Sequence, residues 1–457
     1  MKTGGYSMKK NGTILLWLGG LALGIIAAKL GIKYAFAFSI LLITPIALIM
    51  KPERGLNLLA AYAVIDFVFR TRGGILSGIW DELLFILMIG VFFVHLLING
   101  KGFPVRLTEL DVPIFVFFGI SIFLLLVNSP ELHVAVEGIR VILQYILWYF
   151  VAINIIKDRS VVRKLLLVLI VIAVLLSLHG IYQYIIGVEI PTTWYDSKHE
   201  TSMRTRVFSI IGSPNILGSL LVLALPITLS FVLNERGWLR KLVYLGSMGV
   251  MALCLVFTFS RGAWLAFALS AVIYTLLKDK RLIIPMVLGA AVLLIAVPQI
   301  GDRIAYMISP EYMLSSARGG RIARWSAAIE AVKTSPIFGV GLGRYGGAVA
   351  MRYIPGSFYA DNFYLKTMAE MGIIGLTGFL YLLYRGCIES LRTIRGLKDP
   401  KLYNMAVGIF TGLIGILAQN AVENVFEVPM MATYFWLLVA VILSLRYIEA
   451  EPQCEVK

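Results

Sequence analysis

The chain has 457 residues, 59% of them hydrophobic and 15% charged, with a mean hydropathy of +0.86, a composition that excludes a water-soluble fold because it would expose large apolar patches. The formal charge of +15 lies in short lysine and arginine clusters between apolar runs, which read as topology signals and not as a nucleic-acid surface. Cys254, Cys387 and Cys454 are far apart and form no CxxC or Cys/His spacing, so neither a disulfide framework nor a zinc site is implied.

Apolar runs recur at about 13–29, 33–50, 55–69, 82–98, 112–128, 133–154, 163–186, 207–233, 241–258, 263–277, 282–299, 363–384, 402–422 and 428–446. Most are long enough to cross a hydrocarbon core of roughly 30 Å as helices. Strand-like alternation is absent, which excludes a barrel. The first run follows Lys9 and Lys10, lacks a small-residue cleavage site and is read as a span. The expected fold is all-α: a polytopic transmembrane helix bundle of about 12–14 spans with one larger extracytoplasmic helical loop. Three regions are expected: N-terminal spans over 1–200, a core over 201–384 that includes the loop 300–362, and C-terminal spans with a short tail over 385–457.

With a cytoplasmic N-terminus, the inner loops collect Lys51, Lys101, Lys157 to Lys164, Arg236 to Lys241, Lys278 to Arg281 and Arg385 to Lys401, as the positive-inside rule asks. Three outer positions break the pattern: Lys198 to Arg206, Arg261 and the loop from Gly301. An arginine at mid-bilayer costs about 3 kcal/mol or more, so Arg261 belongs near an interface or a polar cavity.

In Arg204-Thr-Arg206-Val-Phe-Ser-Ile-Ile-Gly-Ser213-Pro214-Asn215, the Ser-Pro pair is a helix start. The two arginines just before it make either an anion site at a helix N-terminus or an ordinary interfacial pair. Downstream, Ile322, Trp325, Ile329 and Val332 share one helical face, suited to lying on the bilayer. Arg321 and Arg324 are neighbours on its edge and can reach one partner. Gly339 to Gly347 contains a literal GxGxxG, but no strand or βαβ unit frames it; it reads as a turn packed close to a neighbouring backbone. Asp361 stands at the next helix start, either as a cap or as a base facing the arginine loop. Glu137 and Arg140, three apart, are expected to neutralise each other, and His179 beside Gln183 to be a satisfied buried histidine.

The order RvFxxxGsPNxLg from Arg206, SRGAWLA from Ser260, GRxxRWxxAxxxxxxxPxxGvGlGry from Gly320 and DNFYLKxxxExGiiGL from Asp361 resembles the O-antigen ligase and polymerase superfamily over about residues 200–380. The resemblance implies a bacterial cytoplasmic-membrane glycosyltransferase that needs neither a nucleotide sugar nor a metal or other cofactor. Its expected partners are an undecaprenyl-diphosphate-linked glycan donor, a glycan, lipid or protein acceptor, and membrane lipids; its site is expected on the extracytoplasmic face. It implies Arg206 and the catalytic Arg261 at the lipid diphosphate, with Arg321 or Arg324 assisting; beside these, the residues themselves offer Arg204 next to Arg206, Asp361 as the catalytic base, and Asn362 and Tyr364 as acceptor contacts. Ligases of the superfamily usually carry histidine where this chain has Asp361, which turns the expectation toward a polysaccharide polymerase or another member. The alternative from a different class is a transporter or lipid flippase, which calls for ionisable groups near mid-membrane.

Overall fold

The structure, a computed structural model, describes residues 44–73, 76–99, 106–191, 194, 205–284, 288–289 and 298–450. It is an all-helical membrane protein without strands among the described residues. Eight described helices are long and apolar enough to span a bilayer, and Asp111–Val127 is a shorter apolar helix. The expected span at 13–29, most of 33–50 and most of 282–299 lie outside the described residues.

Contacts divide the chain into two compact units. The first comprises Met1–Leu56 with Asp81–Pro104, and within it Gly55 packs on Met88. The second comprises Asn57–Trp80 with Val105–Lys457, and the numbered helices and the site described below belong to that unit. Two expectations are corrected here. The run at 55–69 is not one span but two short helices, Glu53–Ala60 and Tyr62–Arg72, separated at Ala61. Glu137 does not settle on Arg140; its carboxylate accepts from Tyr353 Oη at 2.6 Å and from Arg352 at 3.1 Å.

Seven helices position the site: α1 (Arg159–Ile186), α2 (Pro214–Asn234), α3 (Trp238–Phe257), α4 (Arg261–Lys278), α5 (Phe363–Gly396), α6 (Pro400–Gln419) and α7 (Pro429–Ala450). Their starts follow local chemistry. Ser213 accepts from Ile216 N–H with Pro214 at the first helical position, so α2 begins at Pro214 and residues 207–212 of the expected span are non-helical. Ser260 caps α4 and Asp399 caps α6 in the same way. Both α2 and α7 are buried along most of their length. The α2 and α6 helices approach closely: a Cβ on Gly408 would lie 2.5 Å from the Pro226 carbonyl oxygen and one on Gly412 2.8 Å from that of Leu223; the Gly-xxx-Gly spacing lets the backbones meet.

Chain direction sorts the helix ends. The starts of α2, α4, α5 and α7 and the ends of α1, α3 and α6 lie together, and the reverse ends form the other pole. There Arg159 pairs with Asp399, and Asn404 bonds Lys278 at 2.5 Å and Asn234 at 2.7 Å. That pole also carries Arg163, Arg236, Arg240, Lys280 and Arg281.

The glycine-rich stretch is a packed turn, as expected. Val340 N–H donates to the Ala369 carbonyl and Gly341 N–H to that of Glu370, while Ile373 N–H donates to the Pro336 carbonyl. These bonds exist because α5 breaks at Gly372 (φ 62°), releasing backbone groups for the turn. Below it, Lys366 sits between Glu370 (2.7 Å) and Glu427 (3.1 Å), all three buried. Glu370 also accepts from Tyr345 N–H and Glu427 from Ala348 N–H, so the buried charges are hydrogen-bonded to the turn they support.

Gly339→Ala would bring a Cβ to 2.4 Å from the Glu370 carbonyl carbon at a φ of +76°. It is expected to cost about 2 kcal/mol or more, read as a lower thermal midpoint of the purified protein. Gly386→Ala, which meets nothing within 4 Å, is expected to lower that midpoint not at all.

Candidate active site

The pole where the helix starts converge holds a cavity of about 1260 Å³. Its arginines are Arg206, Arg261, Arg303, Arg318, Arg321 and Arg324, and its carboxylates are Glu311, Asp361, Glu423 and Glu427. Helix starts open on it: Ser213 of α2, Arg261 of α4, and Gly320 with Arg321 at the head of α8 (Arg321–Thr334). At the head of α8 the N-cap is Gly320, without a side chain, and Ser316 Oγ accepts from Ile322 N–H at 3.1 Å. Partial positive charge at helix N-termini and guanidinium groups therefore favour an anionic ligand together.

Asn215 is the hinge-pin of the floor. Its Oδ1 accepts from Arg206 Nη2 at 3.1 Å and from Ser260 Oγ at 2.9 Å, and its Nδ2 donates to Glu423. Arg206 is buried and also donates to the carbonyls of Thr258 (3.1 Å) and Trp194 (2.7 Å). It shapes the wall and carries charge there. Arg261 lies over the ring of Tyr312 at 4.7 Å and near that of Tyr306 at 5.9 Å, a cation–π cradle that holds the guanidinium beside the cavity.

Arg321 and Arg324 reach one partner, as their spacing predicts. Asp361 Oδ2 lies 2.6 Å from Arg324 Nη1 and 3.9 Å from Arg321 Nε. Arg321 extends on to Glu423 at 3.8 Å. Asp361 adopts a left-handed backbone (φ 50°), tolerable for aspartate and held by its neighbours: Trp325 Nε1 donates to its carbonyl and Ala360 N–H to that of Gly346. The Trp325 face of α8 is thus turned partly to this loop, whereas Ile329 is exposed.

Several expected residues land elsewhere. Asp361 is not the cap of α5; Asn362 is, accepting from Leu365 N–H at 3.0 Å while its own N–H donates to Asn424. Tyr364 turns away from the cavity and donates to the Leu417 carbonyl at 2.7 Å. Arg204 lies outside the described residues. Two loop arginines are not among the cavity lining and serve ion pairs, Arg344 with Glu131 and Arg352 with Glu137. His179 bonds Ser209 at 3.1 Å, and Gln183 accepts from Ser209 N–H at 2.7 Å, so both brace the segment carrying Arg206.

The sequence reading missed the loop between α6 and α7. Asn420, Glu423, Asn424 and Glu427 stand at i, i+3, i+4 and i+7 between apolar spans, a polar pattern visible in the sequence. Asn424 donates to the Gly346 carbonyl and Asn420 accepts from Phe426 N–H, tying this loop to the cavity floor. Burial, and then the neighbouring Asp361 charge, raise the proton affinity of Glu423 above that of an ordinary glutamate. Burial likewise pushes the Tyr345 phenol up to about 12, so it stays a donor to the Arg324 carbonyl. Tyr359, on the cavity wall, is raised by burial and by Glu427 and Glu423.

A multi-pass helical membrane protein with an arginine-lined cavity at one pole is the class these features define. Residues 246–380 match the family model described as O-antigen ligase, and the chain carries that domain of the O-antigen ligase and polymerase superfamily. Comparison with curated proteins finds no match. The matched segment supports an O-antigen ligase-type membrane glycosyltransferase at the family level. The matched segment includes Arg261, Arg303, Arg321, Arg324 and Asp361; Arg206, Asn215 and Glu423 lie outside it, yet share the cavity.

Because Arg206 is buried with three hydrogen-bonded partners, Arg206→Ala is expected to destabilise the protein by about 3 kcal/mol. Arg318→Ala, at an exposed wall position, is expected to leave the thermal midpoint unchanged.

Proposed function

We propose that the chain transfers a saccharide from an undecaprenyl-diphosphate carrier to an acceptor hydroxyl during synthesis of cell-surface polysaccharide (O-antigen, capsule or exopolysaccharide). One observation carries this reading: six arginines and three helix starts surround a single cavity at one pole of the membrane bundle. A glycosyl diphosphate gathers negative charge on its leaving group as the glycosidic bond breaks. Guanidinium groups already fixed by Asn215, Tyr312 and Asp361 meet that charge without reorganising. The reading gives this task to arginine in place of a metal ion.

The basic pole opposite the cavity supports a cytoplasmic placement for that end, and hence an extracytoplasmic cavity in the bacterial inner membrane. Reporters fused at Arg236 and at Gly319 are expected to report cytoplasm and exterior respectively; the reverse result removes the carrier from reach and ends the assignment. A transporter reading fits less well, because the cavity charges gather at helix ends and not at mid-span.

Arg261 is assigned to the leaving diphosphate, with Arg321 and Arg324 beside it. Arg261→Ala is expected to lose about 3 kcal/mol of barrier lowering, a hundredfold or more in turnover, with membrane insertion intact. The assay incubates purified protein with the undecaprenyl-diphosphate-linked glycan of the native strain and follows glycan length and attachment. Absence of any transfer by the wild type, while undecaprenyl diphosphate binds, would overturn the reading.

A further inference from the structure

The cavity has two carboxylates close to one arginine, and their surroundings differ. Asp361 meets two guanidinium groups, with Arg324 at hydrogen-bond distance. Its negative charge is committed to holding Arg321 and Arg324 in place. Glu423 meets one guanidinium, Arg321 at 3.8 Å, beyond hydrogen-bond distance, and is oriented by the neutral amide of Asn215. Its side chain is 16% exposed and lines the cavity, so a substrate hydroxyl can reach it. The same Asn215 grips Arg206, which fixes Glu423 at a set position relative to the arginine wall.

We propose that Glu423 takes the proton from the acceptor hydroxyl, while Asp361 acts as the positioning residue that holds Arg321 and Arg324; this rests on the glycosyl-transfer reading above. The acceptor oxygen forms a bond to the anomeric carbon of the donor glycan. The bond from that carbon to the diphosphate oxygen breaks, its electron pair stays with the diphosphate, and the hydroxyl proton passes to a Glu423 carboxylate oxygen. The proton leaves to solvent after the product departs.

The charged and titratable groups turned toward Glu423 are Asp361 ahead of α5, Arg321 on α8 and the phenol of Tyr359; Arg324 stands across Asp361, and Arg206 is reached through Asn215. Arg261 on α4 and Glu427 in the same loop line the same cavity. A buried carboxylate with an anionic neighbour is a stronger base than an exposed one, and it serves only while deprotonated. Turnover therefore falls as pH drops through the Glu423 titration, at a pH above that of an ordinary carboxylate, about 4.3.

Three variants test the assignment in the transfer assay, with binding of undecaprenyl diphosphate measured separately. Glu423→Gln is expected to lose roughly 10²-fold to 10⁴-fold in turnover, to bind undecaprenyl diphosphate within a few-fold of wild type, and to show no acid limb in its residual activity. Glu423→Asp keeps a carboxylate and is expected to retain part of the turnover with the acid limb displaced. Asp361→Asn is expected to weaken undecaprenyl diphosphate binding and to keep an acid limb, moved to lower pH because the neighbouring charge that raises Glu423 is gone. Wild-type turnover in Glu423→Gln overturns the proposal. So does an unmoved limb in Glu423→Asp, whatever the folding of the glutamine variant, or a limb that disappears in Asp361→Asn. Each of these results presupposes an active wild-type enzyme, so each rejects the role of Glu423 while leaving the glycosyl-transfer reading standing.

Discussion

The side chain of Asn215 is the constraint on which the cavity depends. One neutral amide receives Arg206 and Ser260 on its oxygen and offers its nitrogen to Glu423, so four chain segments meet at one residue. Its backbone carbonyl accepts from Ser219 and Gln419 as well, which fixes the head of α2 against the end of α6. A charged residue in its place would repel either the arginine or the glutamate; an apolar one would leave a buried guanidinium short of a partner. An amide satisfies both because it is donor and acceptor at once.

Like charges in a confined space are costly, and the cavity contains that cost by interleaving. Asp361 stands between Arg321 and Arg324, and Arg321 stands between Asp361 and Glu423. Arg261 lies over the rings of Tyr312 and Tyr306, and a ring quadrupole does not offer the bidentate partner that a phosphate does.

Much of the fold was legible because membrane helices announce themselves by length and apolarity, and because Ser213-Pro214 marks the head of α2 in the sequence itself. Pairing of Arg321 with Arg324 on one partner followed from helical geometry. What was hidden depends on contacts between distant segments. That Asn362, not Asp361, caps α5 follows from a left-handed Asp361 that only the packed loop imposes. Tyr364 looked available beside Asp361, but it points to the α6 side, where its hydroxyl donates to the Leu417 carbonyl. The α6–α7 loop was overlooked because short polar connections between spans are read as topology, and nothing local says that Glu423 faces Arg321 some hundred residues away.

The break at Gly372 divides α5 into two mechanical parts. Residues 363–371 are bonded to the turn at 339–341, and the turn is bonded in its returning strand to Ile373 through Pro336. Both sides of the joint are therefore pinned to one segment, and a Cβ at Gly372 would lie 2.2 Å from the Ile337 carbonyl oxygen, so a side chain there would push on the head of α5, next to Asp361, from outside the cavity.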